Sequence, residues 1–504
     1  MTYLLKYSFY LFLSLLLYYV FIANLNLTYY GHELFMDEQI TFYEVKNILH
    51  ANSITGLLNS IVFGDQRYGR IIYYITALFA FIPERIFGET GQIFSTRILF
   101  ASILLFSYFI LVKTFINDFF IKYLTLFSLL LIQSNIYFFT EPKPEPFQLV
   151  FLSIFLYVKF KKNDNEKNYF FLGLSFGCKI SILFLVFYFF FTEFFKLFNN
   201  QTTKNIILSK ILYFILGFFI SVPILFTSFL SVKNLKSYLG STFFATTFGS
   251  DNTNLTFIDW LIYIIHNSFS KNLYINILVF SIFFILITIG FIKFYKEKYI
   301  SQSKYFISFA ITFLSILPII VLTKRIWLHY LHIGFVFLIL LVFISLEKIK
   351  LNFRKYLLYM YLCIITLSIT IFYDFLPTLT QKSTRTRENT YLVQKKYYNL
   401  INYYLSSVTD TIYLSPQHFK LEKSNVIYIY GFFTKWDKLA PYVVLSNSNN
   451  VLYTKVSNKN RNDYLEFKDA ESNYIKFVTS NDTRKYEMIF ADTTSPGLYI
   501  YKIK

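Results

Sequence analysis

The chain has 504 residues, of which 55% are hydrophobic and only 15% charged, and its mean hydropathy is +0.47. So little polar surface excludes a soluble globular protein of this length and points to a bilayer as the solvent. The net charge of +19 would suggest nucleic acid in a soluble protein, but most Lys and Arg residues fall in short segments between apolar runs, so membrane topology is the cause and no nucleic-acid partner is expected.

The first apolar run covers roughly 4–24, and Leu4–Ala23 carries no obvious small-residue cleavage site. Several later runs exclude a cleaved signal peptide as the whole explanation. A long segment from 25 to 95 follows, whose apolar stretch Ile71–Ile82 is short and ends in Pro83-Glu84-Arg85, the pattern of an interfacial helix rather than a span. Helices are expected near 96–115, 119–139 and 146–160, the last two separated by Glu141-Pro-Lys-Pro-Glu-Pro146. The run 169–198 is too long for one straight crossing of about 30 Å at about 1.5 Å per residue. Two short helices broken near Lys179 to Ser181 fit it. Further helices fall near 210–230, 272–292, 305–322, 328–346 and 355–376, which makes about eleven. Cys178 and Cys363 both sit in apolar runs as small hydrophobes, so neither a disulfide framework nor a thiolate metal site is expected.

With that count, the basic clusters Lys159/Lys161/Lys162/Lys167, Lys196/Lys204/Lys210, Lys293/Lys296/Lys298/Lys304 and Lys348/Lys350/Arg354/Lys355 share one side of the membrane. By the positive-inside rule that side is the cytoplasm. The N-terminus is then cytoplasmic, and the 25–95 segment, the Glu141–Pro146 turn, the Lys324–His332 turn and the C-terminus face outward. A single crossing by 169–198 would invert the later clusters. From about residue 377 the composition shifts to Asn, Ser, Thr, Lys and Asp with short β-type runs at Thr411–Leu414, Val426–Tyr430, Tyr442–Leu445, Tyr474–Val478, Tyr486–Phe490 and Leu498–Ile503. The expected architecture is a polytopic α-helical membrane domain over 1–376 and, after a helical stretch near 389–406, an extracytoplasmic soluble α/β domain over 377–504.

The segment Gly31-His-Glu-Leu-Phe-Met-Asp-Glu-Gln-Ile-Thr-Phe-Tyr-Glu44 places the adjacent carboxylates Asp37 and Glu38 beyond the first span, at the start of an amphipathic helix. A carboxylate at a membrane surface can act as general base for a hydroxyl or amine nucleophile; it also suits a solvated first helical turn, where the macrodipole favours acids. Lys179 in apolar surroundings needs an anionic partner, a polar cavity or a route by which to snorkel to the surface. The histidines lack a Cys/His/carboxylate cluster at ligand spacing, so no protein-only metal cage is expected.

An N-terminal span, the Asp37-Glu38 loop, Arg67-Tyr-Gly-Arg-Ile-Ile-Tyr-Tyr74, Arg97 opening the second span and Gly173…Gly177-Cys-Lys179 together resemble the GT-C glycosyltransferases, among them the protein O-mannosyltransferases and the aminoarabinose transferases of lipid A. The resemblance covers roughly residues 1–345. It implies an inverting enzyme that takes a sugar from a polyprenyl-phosphate-linked donor and passes it to a glycan, lipid or protein acceptor on the outer face. It implies Asp37 as the base and Glu38 as its neighbour. Glu141 and Glu145 stand where the family has a second acidic residue, in a frame whose prolines equally suit the end of a helix. Lys179 and Arg325 become candidates for the donor phosphate, the latter because a guanidinium binds phosphate oxygens bidentately. His329 and Tyr330 belong to a basic-aromatic turn in Lys324-Arg-Ile-Trp-Leu-His-Tyr-Leu-His332. Arg67, Arg70 and Arg97 are either partners of the anionic carrier or interfacial anchors. No cofactor is required by the resemblance, which leaves room for a divalent cation. A bacterial plasma membrane is the expected location. A transporter or flippase of a lipid-linked substrate is the alternative, although no two-half repeat is visible; a non-catalytic scaffold is a third reading.

Overall fold

Apolar residues dominate most of the helical runs so evenly that these helices are apolar all round and pack mainly by shape; Met36–Leu49, with its charged residues, is the exception. The computed structural model describes residues 2–17, 36–63, 68–225, 273–296, 301–318 and 331–348, with short gaps, and parts of 400–503, chiefly strands. The chain divides into two compact units, one carrying the helices up to Lys348 and the other carrying a β-sheet.

The helical unit contains α1 (Thr2–Leu17), α2 (Met36–Leu49), α3 (Ile54–Phe63), α4 (Ile71–Phe115), α5 (Phe119–Leu130), α6 (Glu145–Lys161), α7 (Tyr169–Cys178), α8 (Leu183–Phe198), α9 (Lys204–Ser221), α10 (Leu273–Lys296), α11 (Ser301–Pro318) and α12 (His332–Lys348). Among the described residues, Ile71–Gly88, Gly91–Phe115, Ile180–Phe198 and Lys204–Ser221 are long and apolar enough to cross a membrane. The helix expected near 355–376 lies outside the described residues.

The stretch read from sequence as a short interfacial helix does not end at Pro83. It runs to Gly88, whose φ of 61° and ψ of −147° form a backbone that glycine adopts without a Cβ penalty. There the chain doubles back: a Cβ on Gly91 would lie 2.1 Å from the carbonyl oxygen of Pro83, and Ile72 shares a core cluster with Leu99 and Phe100. Ring contacts of Phe100 with Phe147 at 5.1 Å and of Phe115 with Phe160 at 5.5 Å show that residues 100–115 run the length of α6. The limb Ile71–Gly88 therefore packs past the start of α6, along residues 88–99.

The run 169–198 breaks at Lys179, which is extended (φ −160°, ψ 132°) between α7 and a single 3-10 turn, Ile180–Ile182. The chain then reverses. Phe155 in α6 touches both Tyr169, at the start of α7, at 5.4 Å and Phe189, near the middle of α8, at 4.9 Å, and Tyr169 touches Phe190 at 5.4 Å. Helices α7 and α9 cross with their backbones in contact. A Cβ on Gly173 would meet the Phe214 carbonyl oxygen at 2.1 Å, one on Gly217 would meet that of Phe170 at 2.1 Å, and Gly177 lies against Ser221. Gly173 and Gly177 face Gly217 and Ser221, a small-xxx-small pair on each helix that permits close approach in an apolar medium.

One end of the bundle collects the lysines. Glu193 of α8 binds Lys210 of α9 at 2.7 Å, Lys196 at 2.9 Å and Lys159 of α6 at 3.4 Å. Lys304 of α11 donates to the Thr114 carbonyl at 2.8 Å, and Lys161 to Asn117 Oδ1 at 3.3 Å. Glu347 of α12 accepts from the backbone N–H groups of Asn117 (2.9 Å) and Asp118 (2.7 Å), and the Asp118 carboxylate caps α5 by accepting from the Ile121 N–H at 2.9 Å. The described members of three of the four basic clusters make these contacts, and Lys348 of the fourth follows Glu347 in sequence, so they lie at one end, which we call the lysine end.

In the second unit, β1 (Ile412–Leu414), β2 (Val426–Tyr428), β3 (Tyr442–Asn447), β4 (Tyr486–Asp492) and β5 (Gly497–Ile503) form one mixed sheet in the order β2-β1-β3-β5-β4. β1 pairs in parallel with β2 and β3; β5 pairs antiparallel with β3 and β4. Tyr404 packs its ring on Phe490 at 4.8 Å. The run Tyr474–Val478 lies outside the described residues.

Substituting Gly217→Val forces α9 away from α7. We expect a loss of about 1–3 kcal/mol, read as a lower thermal midpoint of the purified full chain in detergent, whereas Gly56→Ala on exposed α3 changes it little.

Candidate functional site

The end opposite the lysines is built around the start of α6. Pro144 is the residue before the helix and Pro146 lies in its first turn, where a missing N–H breaks no helical bond. Glu145, also in that turn, is favoured by the macrodipole and is only 2% exposed. It forms an ion pair with Lys179 at the helix break, whose side chain is 15% exposed. Its other oxygen, Oε2, is buried and has no hydrogen-bond partner among the described residues.

Gln148, three residues on and so on the same helix face, holds the break open. Its amide Nε2 donates to the Lys179 carbonyl, its Oε1 accepts from the Ser181 hydroxyl at 3.0 Å, and its own carbonyl accepts from the Ser175 hydroxyl at 2.7 Å. The Lys179 carbonyl, freed by the break, thereby finds a donor, as a low-dielectric interior demands, and two serine hydroxyls around the break are satisfied by the same residue. Sequence reasoning missed Gln148. Its signal was a lone amide in an apolar helix at i+3 from an acid.

The same end is closed by backbone bonds from Gly69 N–H to the Cys178 carbonyl at 3.2 Å and from Arg70 N–H to the Ser221 carbonyl at 2.6 Å. Arg97 is 5% exposed and stands three residues before Phe100, the residue that meets Phe147 beside Glu145. Gln92 donates to the Phe42 carbonyl at 3.0 Å and so ties α2 to the Gly91–Phe115 limb. Asp37 and Glu38 occupy the first turn of α2; their side chains lie outside the described residues. Asp37 precedes the buried Thr41 and Glu44 by four and seven residues, the register of one helix face.

Arg70 corrects the sequence reading. It is neither a partner for an anionic carrier nor an interfacial anchor, because it is 0% exposed and its guanidinium is consumed internally. It binds Glu44 Oε2 at 2.5 Å, the Ser60 carbonyl, and the Ile61 carbonyl at 3.2 Å, and lies 4.9 Å from the Tyr73 ring centroid. These bonds dock α2 and α3 onto α4.

Of the sequence-predicted residues, the structure thus joins Glu145 to Lys179 directly and sets Arg97 at the same end. Arg67, Glu141, Arg325 and His329 lie outside the described residues. A second polar cluster not foreseen from sequence lies inside the bundle. His332, 0% exposed, has Ser134 Oγ 2.7 Å from Nδ1 and the Tyr108 hydroxyl 3.0 Å from Nε2, while Tyr108 donates to Asn135 Oδ1 at 2.6 Å. These bonds tie α4 and α12 to the segment after α5.

Chemically, an ammonium held by one carboxylate can also be bound by another anion, and a buried carboxylate oxygen with no hydrogen-bond partner among the described residues can accept from a donor or act as one hard ligand of a cation. Among the described residues no group of three or more His, Cys, Asp or Glu gathers to hold a metal ion. No family model matches the chain, and no curated protein matches it.

Removing one member of a buried pair strands the other. Lys179→Met is expected to lower stability by about 3–5 kcal/mol, and Lys179→Met with Glu145→Gln by clearly less than the sum of the singles. A double-mutant cycle on the full chain, followed by denaturant unfolding in micelles, measures this coupling.

Proposed function

We propose that the chain is a polytopic membrane glycosyltransferase of the GT-C type, inverting and dependent on a polyprenyl-phosphate-linked sugar. The observation that carries this reading is the buried Glu145–Lys179 pair at a helix break, at the end of the bundle opposite the lysines. An acid-held ammonium there is suited to receive a lipid-linked phosphate, and the lysine-poor end is the outward one by the positive-inside rule. The finer architecture belongs to the same proposal: about eleven membrane helices over 1–376, a soluble α/β domain over 377–504, a cytoplasmic N-terminus and an outward C-terminal domain, in a plasma membrane.

In the proposed reaction the acceptor's hydroxyl oxygen attacks the anomeric carbon, and the bond from that carbon to the phosphate oxygen breaks. The electron pair leaves with the phosphate. Asp37 takes the acceptor's proton and Glu38 orients it. Lys179, released from Glu145, and Arg325 stabilise the developing charge on the leaving phosphate. Arg67, Arg97, Glu141 and His329 would contact donor or acceptor.

The broken helix at Lys179 also suits a flippase or transporter, which commonly places a discontinuous helix at its binding site. Transfer assays with the full chain in proteoliposomes separate the two. Asp37→Asn is expected to reduce sugar transfer at least about a hundredfold while leaving the fold intact. Full transfer by the folded variant would sink the assignment, and substrate flux that survives it would establish the transport reading.

A further inference from the structure

His332 is a fully buried ionisable group to which the proposed reaction assigns no part. Its neighbours fix where its proton sits. The Asn135 side chain donates through Nδ2 to the Leu129 and Leu130 carbonyls, at 2.7 and 3.1 Å, and carbonyls are acceptors only. Asn135 Oδ1 therefore faces Tyr108 and takes its single hydroxyl proton at 2.6 Å. The Tyr108 oxygen, with that proton committed, accepts from His332 Nε2, 3.0 Å away. A neutral ring then offers the lone pair of Nδ1 to the Ser134 hydroxyl at 2.7 Å. Every polar proton in the chain meets an acceptor, as a buried network requires. Because the chain ends on carbonyls, which cannot donate, its bonds run in one direction, and it holds a proton rather than relaying one.

What the ring holds is the connection between α5 and α6. Ser134 binds the ring directly, Asn135 joins it through Tyr108 while occupying two carbonyls at the end of α5, and Phe138 lies edge-on to it at 4.6 Å. Six residues beyond Phe138 the connection reaches Pro144 and then Glu145, the partner of Lys179. His332 itself opens α12.

We infer that His332, neutral with its proton on Nε2, is a positioning residue of the candidate site. It pins the α5–α6 connection to the start of α12 and so sets where Glu145 meets Lys179. Its bearing on sugar transfer rests on the function proposed above; its bearing on the Glu145–Lys179 pair does not.

Two measurements on the full chain in detergent test this without a transfer assay, so failure of the proposed function and failure of this inference are told apart. In nitrogen NMR of isotope-labelled protein at neutral pH, the His332 signals are assigned by their loss in His332→Gln. They are expected to show a protonated Nε2 and an unprotonated Nδ1. An imidazolium, or a neutral ring with its proton on Nδ1, would overturn the inference. The second measurement repeats the Glu145–Lys179 double-mutant cycle in His332→Phe and in Tyr108→Phe, the latter keeping its ring and serving if the former does not fold. The coupling, expressed as a ratio of unfolding constants, is expected to fall at least about fivefold in each. His332→Gln, whose amide offers one donor and one acceptor, is expected to retain most of it. Unchanged coupling in a folded His332→Phe or Tyr108→Phe chain would refute the positioning role, as would a loss in His332→Gln equal to that in His332→Phe.

Discussion

Where an apolar chain stops being helical, its backbone needs new hydrogen-bond partners, and the reversal at Lys179 exists because α6 provides them. Gln148 binds both sides of the break, and Glu145 takes the lysine's charge. The direction of α8 follows from this turn. Because α8 returns towards the start of α7, Glu193 reaches Lys159 on α6 and Lys210 on α9, and the lysine end closes around one carboxylate. A straight helix through Lys179 would have carried Glu193 away from Lys159.

Much of this was legible in the sequence because its physical cause is local. The length of 169–198 at a fixed rise per residue requires a break, and a lysine beside two glycines marks where it falls. Five of the six β-type runs beyond residue 377 coincide with strands, since alternation along a strand is also local. What escaped depends on partners distant in sequence. Pro83 looked like a helix stop, yet the helix tolerates it and ends at Gly88, whose φ is positive. Arg70 looked like a membrane anchor because Glu44, 26 residues away, gives no local sign of being its counter-ion. Gln148 looked like filler until the break it serves was placed beside it.

The two ends hold their charges differently. At the helix break Glu145 pairs with the Lys179 ammonium of a neighbouring element. At the lysine end one buried carboxylate, Glu193, is within reach of Lys159, Lys196 and Lys210 and so links α6, α8 and α9. Breaking either contact by removing the acid leaves buried ammonium groups without it, which is strongly unfavourable in an apolar interior.

The placement of Asp37 rests on the rigidity of the helix behind it. Phe42 and Val45 are buried, Gln92 holds the Phe42 carbonyl, and Arg70 holds Glu44 through a fully desolvated pair. Such a pair contributes little net stability, but it tolerates only one geometry, because displacing either partner leaves a bare charge. The start of α2 is therefore fixed from two turns away by contacts that do not touch the acid itself. The base proposed at Asp37 would need this kind of support to meet a hydroxyl within hydrogen-bond reach. The burial of Arg70 itself follows from its bonds to Glu44 and to the Ser60 and Ile61 carbonyls, which hold α2 and α3 against α4.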